Sequence, residues 1–315
     1  MFKLFFSLLF LFGGICHAEN IFPASSVFII NSKNESGIPR NFRSTSNDFM
    51  RPTEGPRPST EGLKALNISG SSQFSEKGLV SILDQLGHPK NFYIVDLRQE
   101  YHGFLNGTPV SWYAPKNWEN VGKSVNQILN GEKERLQVAL ERKDLILSKI
   151  VKKDKKGLKL PEAASVPFTA VGATTEEVLA SRYQLGYIRI PVTDACKPTN
   201  EMVDRFISFV KSLPNESWLH FHCSAGVGRT STFMIMYDIM KNSKKLSFEE
   251  IFKRQYLLGG ANLSKFDPET SWKYPLAVER YQFLKDFYEY ARANSDNFAT
   301  TWSASIHARA SVPVS

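Results

Sequence analysis

Cysteine is scarce in this chain, which has only three among its 315 residues: Cys16, Cys196 and Cys223. So few cysteines exclude a disulfide scaffold, and the fold must rest on an apolar core, for which a 42% hydrophobic content is sufficient. Internal repeats and low-complexity runs are absent as well. The six histidines are scattered, and no His, Asp and Glu group has metal-ligand spacing, so we expect neither a metal nor another cofactor.

Long apolar runs are also missing, except at the N-terminus. Residues 1–18 combine Lys3, a short apolar stretch and small residues at the end, which predicts a cleaved signal peptide; a membrane anchor is the alternative. We expect an exported protein, periplasmic or secreted, without stable membrane insertion after cleavage. Cleavage would remove Cys16 and leave Cys196 as either a small apolar filler or a partner that protects Cys223 on oxidation.

Positive charge exceeds negative charge, with 39 Lys and Arg against 31 Asp and Glu, a net charge of +8. This balance favours an acidic partner. The lysines concentrate in one tract, Lys149 to Lys159, which has no interleaved aromatic residues and no nucleic-acid-binding motif. We therefore expect no nucleic-acid partner and interpret the tract as a solvated loop, with a binding role as the alternative.

Residues 222–230 read His-Cys-Ser-Ala-Gly-Val-Gly-Arg-Thr, so five residues separate a cysteine from an arginine. The apolar run 218–221 predicts a buried strand before this motif, and the residues after it predict a helix. A turn from a strand into a helix directs backbone N–H groups at one point, where the helix dipole favours an anion. The cradle would consist of His222, Ser224, Ala225, Gly226, Val227 and Gly228.

The motif predicts a thiolate nucleophile in a phosphate-binding loop. A helix N-terminus and a nearby guanidinium favour the thiolate of Cys223, which could then attack phosphorus. Arg229 offers two parallel donors to phosphate oxygens, and Thr230 can donate its hydroxyl to the sulfur as it leaves. We expect His222 to orient the cradle. The structural alternative is a buried cysteine beside a glycine-rich turn.

A departing alkoxide needs a proton, and Asp194 is the candidate donor. It follows an apolar strand predicted over 187–192 and lies in a loop that contains Pro198. A carboxylic acid there could protonate the leaving group and then accept a proton from the attacking water. The alternative is an aspartate that caps the next helix.

Apolar strands that alternate with amphipathic helices predict an α/β fold. Within it, residues 120–151 are charged and predicted to be helical. We divide the chain into a signal peptide (1–18), an extended arm with little regular structure (19–60), one domain (61–295) with an insertion near 104–171, and a flexible tail (296–315).

Several segments besides the loop resemble the bacterial PTP-like phytases, which are cysteine-dependent myo-inositol polyphosphate phosphatases of the tyrosine-phosphatase superfamily. The resemblance covers about residues 38–295. Its segments are Pro39–Arg43, Asp96–Glu100, His102–Gly103, Asn106–Gly107, Val110–Tyr113, Asn117–Trp118, Tyr187–Ile190 before Asp194, Leu257–Gly260, Trp272–Lys273 and Glu279–Tyr281.

This resemblance implies a tyrosine-phosphatase-like core, with a central mixed sheet flanked by helices, and a small inserted partial β-barrel. It implies stepwise hydrolysis of inositol polyphosphates such as phytate through a phosphocysteine. Cys223 would be the nucleophile, Asp194 the general acid and Arg229 the phosphate clamp. The residues implied to line the pocket for the other phosphates are Arg43, Asp96, Lys265 and Lys273.

The sequence departs from the family pattern at two places. Ser224 stands where many relatives carry Glu, and Ala195–Pro198 replaces a His with a Trp-Pro-like pair. Both changes leave the substrate preference and the motion of the acid loop open. A protein-tyrosine or dual-specificity phosphatase that acts on phosphoproteins, including one delivered into a host cell, is the alternative function. A catalytically inactive binding module ranks last because Cys223, Asp194 and Arg229 are all present.

Overall fold

Two sheets organise the chain, of which the computed structural model describes residues 26–53 and 55–310. The predicted signal peptide lies outside these ranges. The strands are β1 Val27–Ile30, β2 Arg43–Ser44, β3 Ile68–Ser72, β4 Phe92–Arg98, β5 His102–Leu105, β6 Thr108–Tyr113, β7 Asp144–Lys152, β8 Glu162–Thr169, β9 Ala173–Thr174, β10 Gly186–Val192 and β11 Trp218–Cys223. The α-helices are α1 Glu76–Leu86, α2 Val125–Arg142, α3 Glu176–Arg182, α4 Asn200–Ser212, α5 Gly228–Asn242, α6 Phe248–Leu257, α7 Tyr274–Ala293 and α8 Trp302–Ala310.

The central sheet has five strands in the order β10-β4-β11-β3-β2. The first four are parallel to one another, and β2 is antiparallel to β3. The carboxyl ends of β3, β4, β10 and β11 therefore meet at one edge of the sheet, where open α/β folds place their ligands. This arrangement confirms the predicted α/β class with a central mixed sheet flanked by helices.

Side-chain alternation along β11 assigns its residues to two faces. Phe221 and Cys223 join the larger apolar core, which includes Phe206 of α4 and Phe233 of α5. His220 and His222 face the other way, and the His222 ring packs edge-on against Phe74 with 5.1 Å between the ring centroids. The nucleophile candidate and its histidine neighbour thus lie on opposite faces of the sheet.

The second sheet has six strands in the order β8-β7-β1-β6-β5-β9. It has its own core, in which Trp112 is fully buried and stacks on Phe28 with 4.3 Å between the ring centroids. Ile128 and Leu136 of α2 complete this core. The sheet uses most of the segment near 104–171 together with β1, and its curvature into a partial barrel stays a prediction.

We expected residues 120–151 to be helical, but only part of this segment forms a helix. Helix α2 ends at Arg142, and Lys143 has a φ of 58°, which stops the helix. The following segment forms β7, in which Leu145 and Leu147 are buried and Ile146 between them is exposed. The helix prediction failed because apolar residues occupy both faces of this strand, so its sequence has no period-2 alternation.

Both terminal segments are more structured than the sequence predicts. The segment 19–60 contributes β1 to the second sheet and β2 to the central one. The segment 296–315 contains α8, where Trp302 is 3% exposed and packs between Phe283 and Tyr290. One large aromatic side chain supplies enough burial to dock this helix. Among the described helices, none combines the length and apolar character that crossing a bilayer requires.

Candidate active site

The turn between β11 and α5 holds its carbonyl groups on its outer side. The Ser224 carbonyl accepts from the Gln73 backbone N–H at 3.3 Å, and the Ala225 carbonyl accepts from the Asn41 amide at 2.8 Å. The Gly226 carbonyl accepts from the Arg43 guanidinium at 2.7 Å. Because a trans peptide points its C=O and the next N–H in opposite directions, the N–H groups that follow face the inner, concave side. This orientation agrees with the anion-binding turn that the motif predicts.

Gly226 has no substitute in this turn. Its φ is +71°, and a Cβ on it would lie 2.3 Å from the backbone carbon of Ser71 and from the nitrogen of Ser72. No side chain fits at that separation, so the turn can approach β3 only with glycine here. Gly228 is less restricted: a Cβ there would lie 3.2 Å from an amino nitrogen of Arg280.

Cys223 lies at the base of the cradle and is 3% exposed. The Thr230 hydroxyl donates to its sulfur at 3.3 Å, and the first turn of α5 begins at Gly228. A hydrogen-bond donor and the positive end of a helix dipole both stabilise negative charge on sulfur. Cys223 and Cys196 are both free thiols.

Arg229 is fixed by a carboxylate that we had not predicted as a site residue. Its two terminal nitrogens donate to the two oxygens of Glu100, at 2.7 and 3.0 Å. A further bond reaches the Val192 carbonyl at 3.1 Å. The buried Nε of Arg229 has no hydrogen-bond partner among the described residues, so it remains as the donor for a ligand oxygen.

Glu100 is itself held ionised. Burial opposes its charge, but Arg229 and Arg98 outweigh that effect and lower the pKa of Glu100 far below its ordinary range. The Arg98 Nε donates to the same carboxylate at 2.9 Å. In the sequence, Glu100 comes just after an apolar strand. This position was the one indication that it could form a buried ion pair.

Asp194 lies beside Arg229 and remains open to solvent. Its Oδ1 is 3.2 Å from an Arg229 amino nitrogen, and its side chain is 42% exposed. The indole of Trp118 donates to the Asp194 carbonyl at 2.9 Å, which ties this loop to the segment after β6. The structure therefore brings together Asp194, Arg229 and the loop of Cys223.

His222 and Asp96 do not line the pocket, contrary to our expectation. Both side chains are fully buried, because the sheet register sets Arg189, Asp96 and His222 side by side on the face away from Cys223. His222 Nε2 lies 2.6 Å from Glu176, and Arg189 Nε lies 3.3 Å from Asp96. They form a layer of ion pairs behind the cradle.

This layer also corrects our expectation that no His, Asp and Glu group is arranged for a metal. Asp96, Glu176 and His222 each place one ligand atom within 4.8 Å of the others. The sequence hides the group because its members come from three distant segments. Arg189 and His102 already supply positive charge to these carboxylates, so we interpret the group as an ion-pair network.

Arg43 contacts the outer side of the cradle and does not line the pocket. It is 1% exposed and donates to the Gly226 carbonyl and, at 3.1 Å, to the Ser231 hydroxyl. Burial lowers the pKa of Arg43 to about 10, and the electrostatic interaction with Cys223 partly offsets this effect. The expected contact with substrate phosphates is wrong because its donors point into the loop.

Lys265 and Lys273 are exposed, and their pocket roles stay predictions. The solvated-loop interpretation of the lysine tract is wrong for Lys149 and Lys152, which lie in β7. Lys153 is exposed and follows the strand, and its Nζ lies over the Tyr113 ring at 4.7 Å. Partial desolvation lowers the pKa of Lys153, the nearby Asp194 raises it, and Lys273 lowers it further. Sequence reasoning missed Lys153 because nothing distinguishes it from the other lysines of the tract.

Comparison with known proteins agrees with this geometry. The sequence model of the PTP-like phytase family, described as "Inositol hexakisphosphate", matches residues 95–241. A PTP-like phytase from Bdellovibrio bacteriovorus is 32% identical and has a TM-score of 0.67, with 90% of this chain and 95% of that chain covered. The chain belongs to the PTP-like phytase family.

Two further relatives are longer than this chain. The PTP-like myo-inositol phosphatase from Mitsuokella multacida, solved in complex with myo-inositol-(1,3,4,5)-tetrakisphosphate, is 36% identical with a TM-score of 0.84, covering 92% of this chain and 48% of that one. Effector protein hopD2 of Pseudomonas syringae pv. tomato is 29% identical over 266 residues, covering 83% of this chain and 55% of that protein. The chain thus spans about half the length of both.

The cradle geometry predicts that Gly226→Ala weakens oxyanion binding. The added Cβ collides with the backbone of β3 and strains a left-handed residue, so the inward N–H groups lose their positions. We expect the inhibition constant of orthovanadate to rise at least about 10-fold, a loss of ~1.4 kcal/mol. Gly172→Ala is the control, because no atom lies within 4 Å of its Cβ position. Equal vanadate affinity in both variants would contradict the geometry.

The ion-pair layer predicts that stability falls as pH rises. Burial opposes the charge of His102, but Asp96, at 3.1 Å, and Glu132 outweigh it and raise the pKa of His102 from 6.5 to about 9. Since the folded-state pKa is raised, this stabilisation is complete below pH 6.5 and lost as pH rises through 9.

Urea unfolding between pH 6.5 and pH 9 measures this loss. The free energy of unfolding should fall by up to about 1 kcal/mol per pH unit in the wild type and in the exposed-site control His88→Gln. His102→Gln should be less stable throughout and lack this pH dependence. The same pH slope in His102→Gln and in the wild type would refute the assignment.

Proposed function

We propose that this protein is a phosphomonoester hydrolase that removes phosphates from myo-inositol polyphosphates through a phosphocysteine intermediate. The observation that carries the proposal is the arrangement around the buried Cys223 thiol. It accepts from Thr230 in a turn whose carbonyls are held outward, and Arg229, whose Nε has no hydrogen-bond partner among the described residues, lies 3.2 Å from Asp194. The proposed steps use side chains, the loop N–H groups and water.

In the first step, the Cys223 thiolate forms a bond to phosphorus while the ester P–O bond breaks. Protonated Asp194 gives its proton to the leaving oxygen. In the second step, water attacks phosphorus, the S–P bond breaks, and Asp194 takes a proton from the water. The loop N–H groups and Arg229 stabilise the charge of the equatorial oxygens, and Thr230 donates to the departing sulfur.

The substrate class follows from the positive charge around the cradle. Lys153 lies close enough to Asp194 and Arg229 to interact electrostatically with both, and Lys273 acts on Lys153. Lys116 packs its Nζ between the rings of Trp118 and Trp272, at 4.8 and 5.0 Å. Several cations around one phosphate site suit a substrate that carries several phosphates. Lys265 remains a candidate for the same role.

A phosphoprotein phosphatase is the second candidate function. The rings of Trp118 and Trp272 meet edge-on at 5.9 Å near the acid loop, and such a pair could flank a phosphotyrosine ring. A relative that is named an effector protein also favours this alternative. We propose, in either case, that the protein is exported after cleavage of residues 1–18, and we retain the predicted division into arm, domain and tail.

Phosphate release by the protein without residues 1–18 tests the proposal. We expect wild type to release phosphate from phytate with a kcat/KM at least about 10-fold above that for a phosphotyrosine peptide, and Cys223→Ser to release none. The reverse preference would favour the second function, and equal release by Cys223→Ser would refute the mechanism.

A matched pair of lysine variants tests the substrate class. Lys153→Ala should raise KM for phytate about 10-fold, which corresponds to ~1.4 kcal/mol of binding, because a cation next to the cradle is lost. It should change KM for 4-nitrophenyl phosphate little, because that substrate has a single phosphate. Lys149→Ala, an exposed residue of the same tract, is the control. Equal effects of the two variants on phytate would contradict the polyphosphate assignment.

A further inference from the structure

We propose that Arg280 is a positioning residue that holds the acid loop, residues 193–198, in its working position over the phosphate cradle. The inference rests on the proposed function and concerns one of its steps, the protonation of the leaving group. Arg280 was not among our predicted site residues, although the segment Glu279–Tyr281 belongs to the resemblance described above.

Arg280 contacts both loops of the site from α7. Its Nη1 donates to the Ala195 carbonyl at 3.2 Å, one residue after the acid candidate. The same nitrogen lies 3.2 Å from the Cβ position of Gly228, the first residue of α5. One guanidinium therefore spans from the acid loop to the phosphate cradle, and a larger residue than glycine would push it away.

The acid loop needs the hydrogen bond from Arg280 because its backbone is strained. Ala195 has a φ of +69°, a left-handed conformation that alanine rarely adopts and that costs about 1–2 kcal/mol. The Arg280 bond fixes the carbonyl of that residue. Without the bond, Ala195 can relax toward negative φ, and this rotation would carry the Asp194 side chain away from Arg229.

Other contacts also hold the loop, among them the Thr193 hydroxyl, which donates to the Gln99 side-chain oxygen at 2.9 Å. The Trp118 indole donates to the Asp194 carbonyl at 2.9 Å, and Glu279 of α7 pairs with Lys197 at 3.6 Å. The second pair is exposed, and exposed pairs contribute little. Arg280 is therefore the main connection between α7 and the acid loop.

The charge of Arg280 agrees with this position. Burial lowers the pKa of Arg280, while Asp194, Cys196, Asp267 and Cys223 raise it. Its Nε is buried and has no hydrogen-bond partner among the described residues. If Arg280 only holds the loop, its Nε makes no hydrogen bond. If Arg280 binds substrate, its Nε can donate to a phosphate oxygen. The test must separate these two roles.

The dependence of rate on leaving group separates them. A poor leaving group needs the proton of Asp194, whereas 4-nitrophenolate leaves without it, and phenyl phosphate has nearly the same size as 4-nitrophenyl phosphate. We expect Arg280→Gln to lower kcat for phenyl phosphate about 10- to 100-fold and kcat for 4-nitrophenyl phosphate less than about 3-fold, since general acid catalysis contributes about 10²- to 10⁴-fold. Arg280→Lys, which keeps the charge and can reach the carbonyl, should recover part of the lost rate.

The control is Arg292→Gln, an exposed arginine on the same helix, which should leave both rates unchanged. Equal losses of kcat on the two aryl phosphates, or a rise in KM alone, would assign Arg280 to substrate binding or to the fold and overturn the proposal. No loss on either substrate would overturn it too. Failure of the proposed function gives a different result, since Cys223→Ser would then hydrolyse 4-nitrophenyl phosphate as the wild type does.

Discussion

The outward direction of three consecutive carbonyl groups is the constraint on which the site depends. The carbonyls of residues 224, 225 and 226 are held by the Gln73 backbone, the Asn41 side chain and the Arg43 guanidinium. Planar trans peptides then leave the N–H groups no direction except inward. The N-terminal segment 19–60, which includes β2, supplies two of these three partners and so helps to build the phosphate cradle.

Two sets of buried charges fix the residues next to this loop. Glu100 holds Arg229 on the substrate side, and Glu176 with Asp96 holds His222 on the opposite face of the sheet. Buried charges are costly alone and tolerable when paired, so removal of one partner typically costs about 3–5 kcal/mol. Loss of any one of these groups would therefore leave its partner buried and unpaired beside the cradle.

Local patterns in the sequence revealed the strand, the turn and the helix around Cys223, together with Arg229, because these residues are adjacent in the chain. Contacts between distant segments were beyond such patterns. Glu176 and Arg280 lie far from the motif in sequence, and only the sheet register and the packing of α7 bring them close. Asp96 and Arg43 were recognised as important but given the wrong role, since sequence does not reveal which way a buried side chain points.

Trapping of the covalent intermediate tests the central claim most directly. In Asp194→Ala, 4-nitrophenyl phosphate can still phosphorylate the enzyme, but the water that hydrolyses the intermediate lacks its base. After an acid quench of this variant, mass spectrometry of its peptides should therefore find one phosphate, attached to Cys223. A phosphate on another residue, or turnover with no phosphorylated enzyme and undiminished release by Cys223→Ser, would contradict the account.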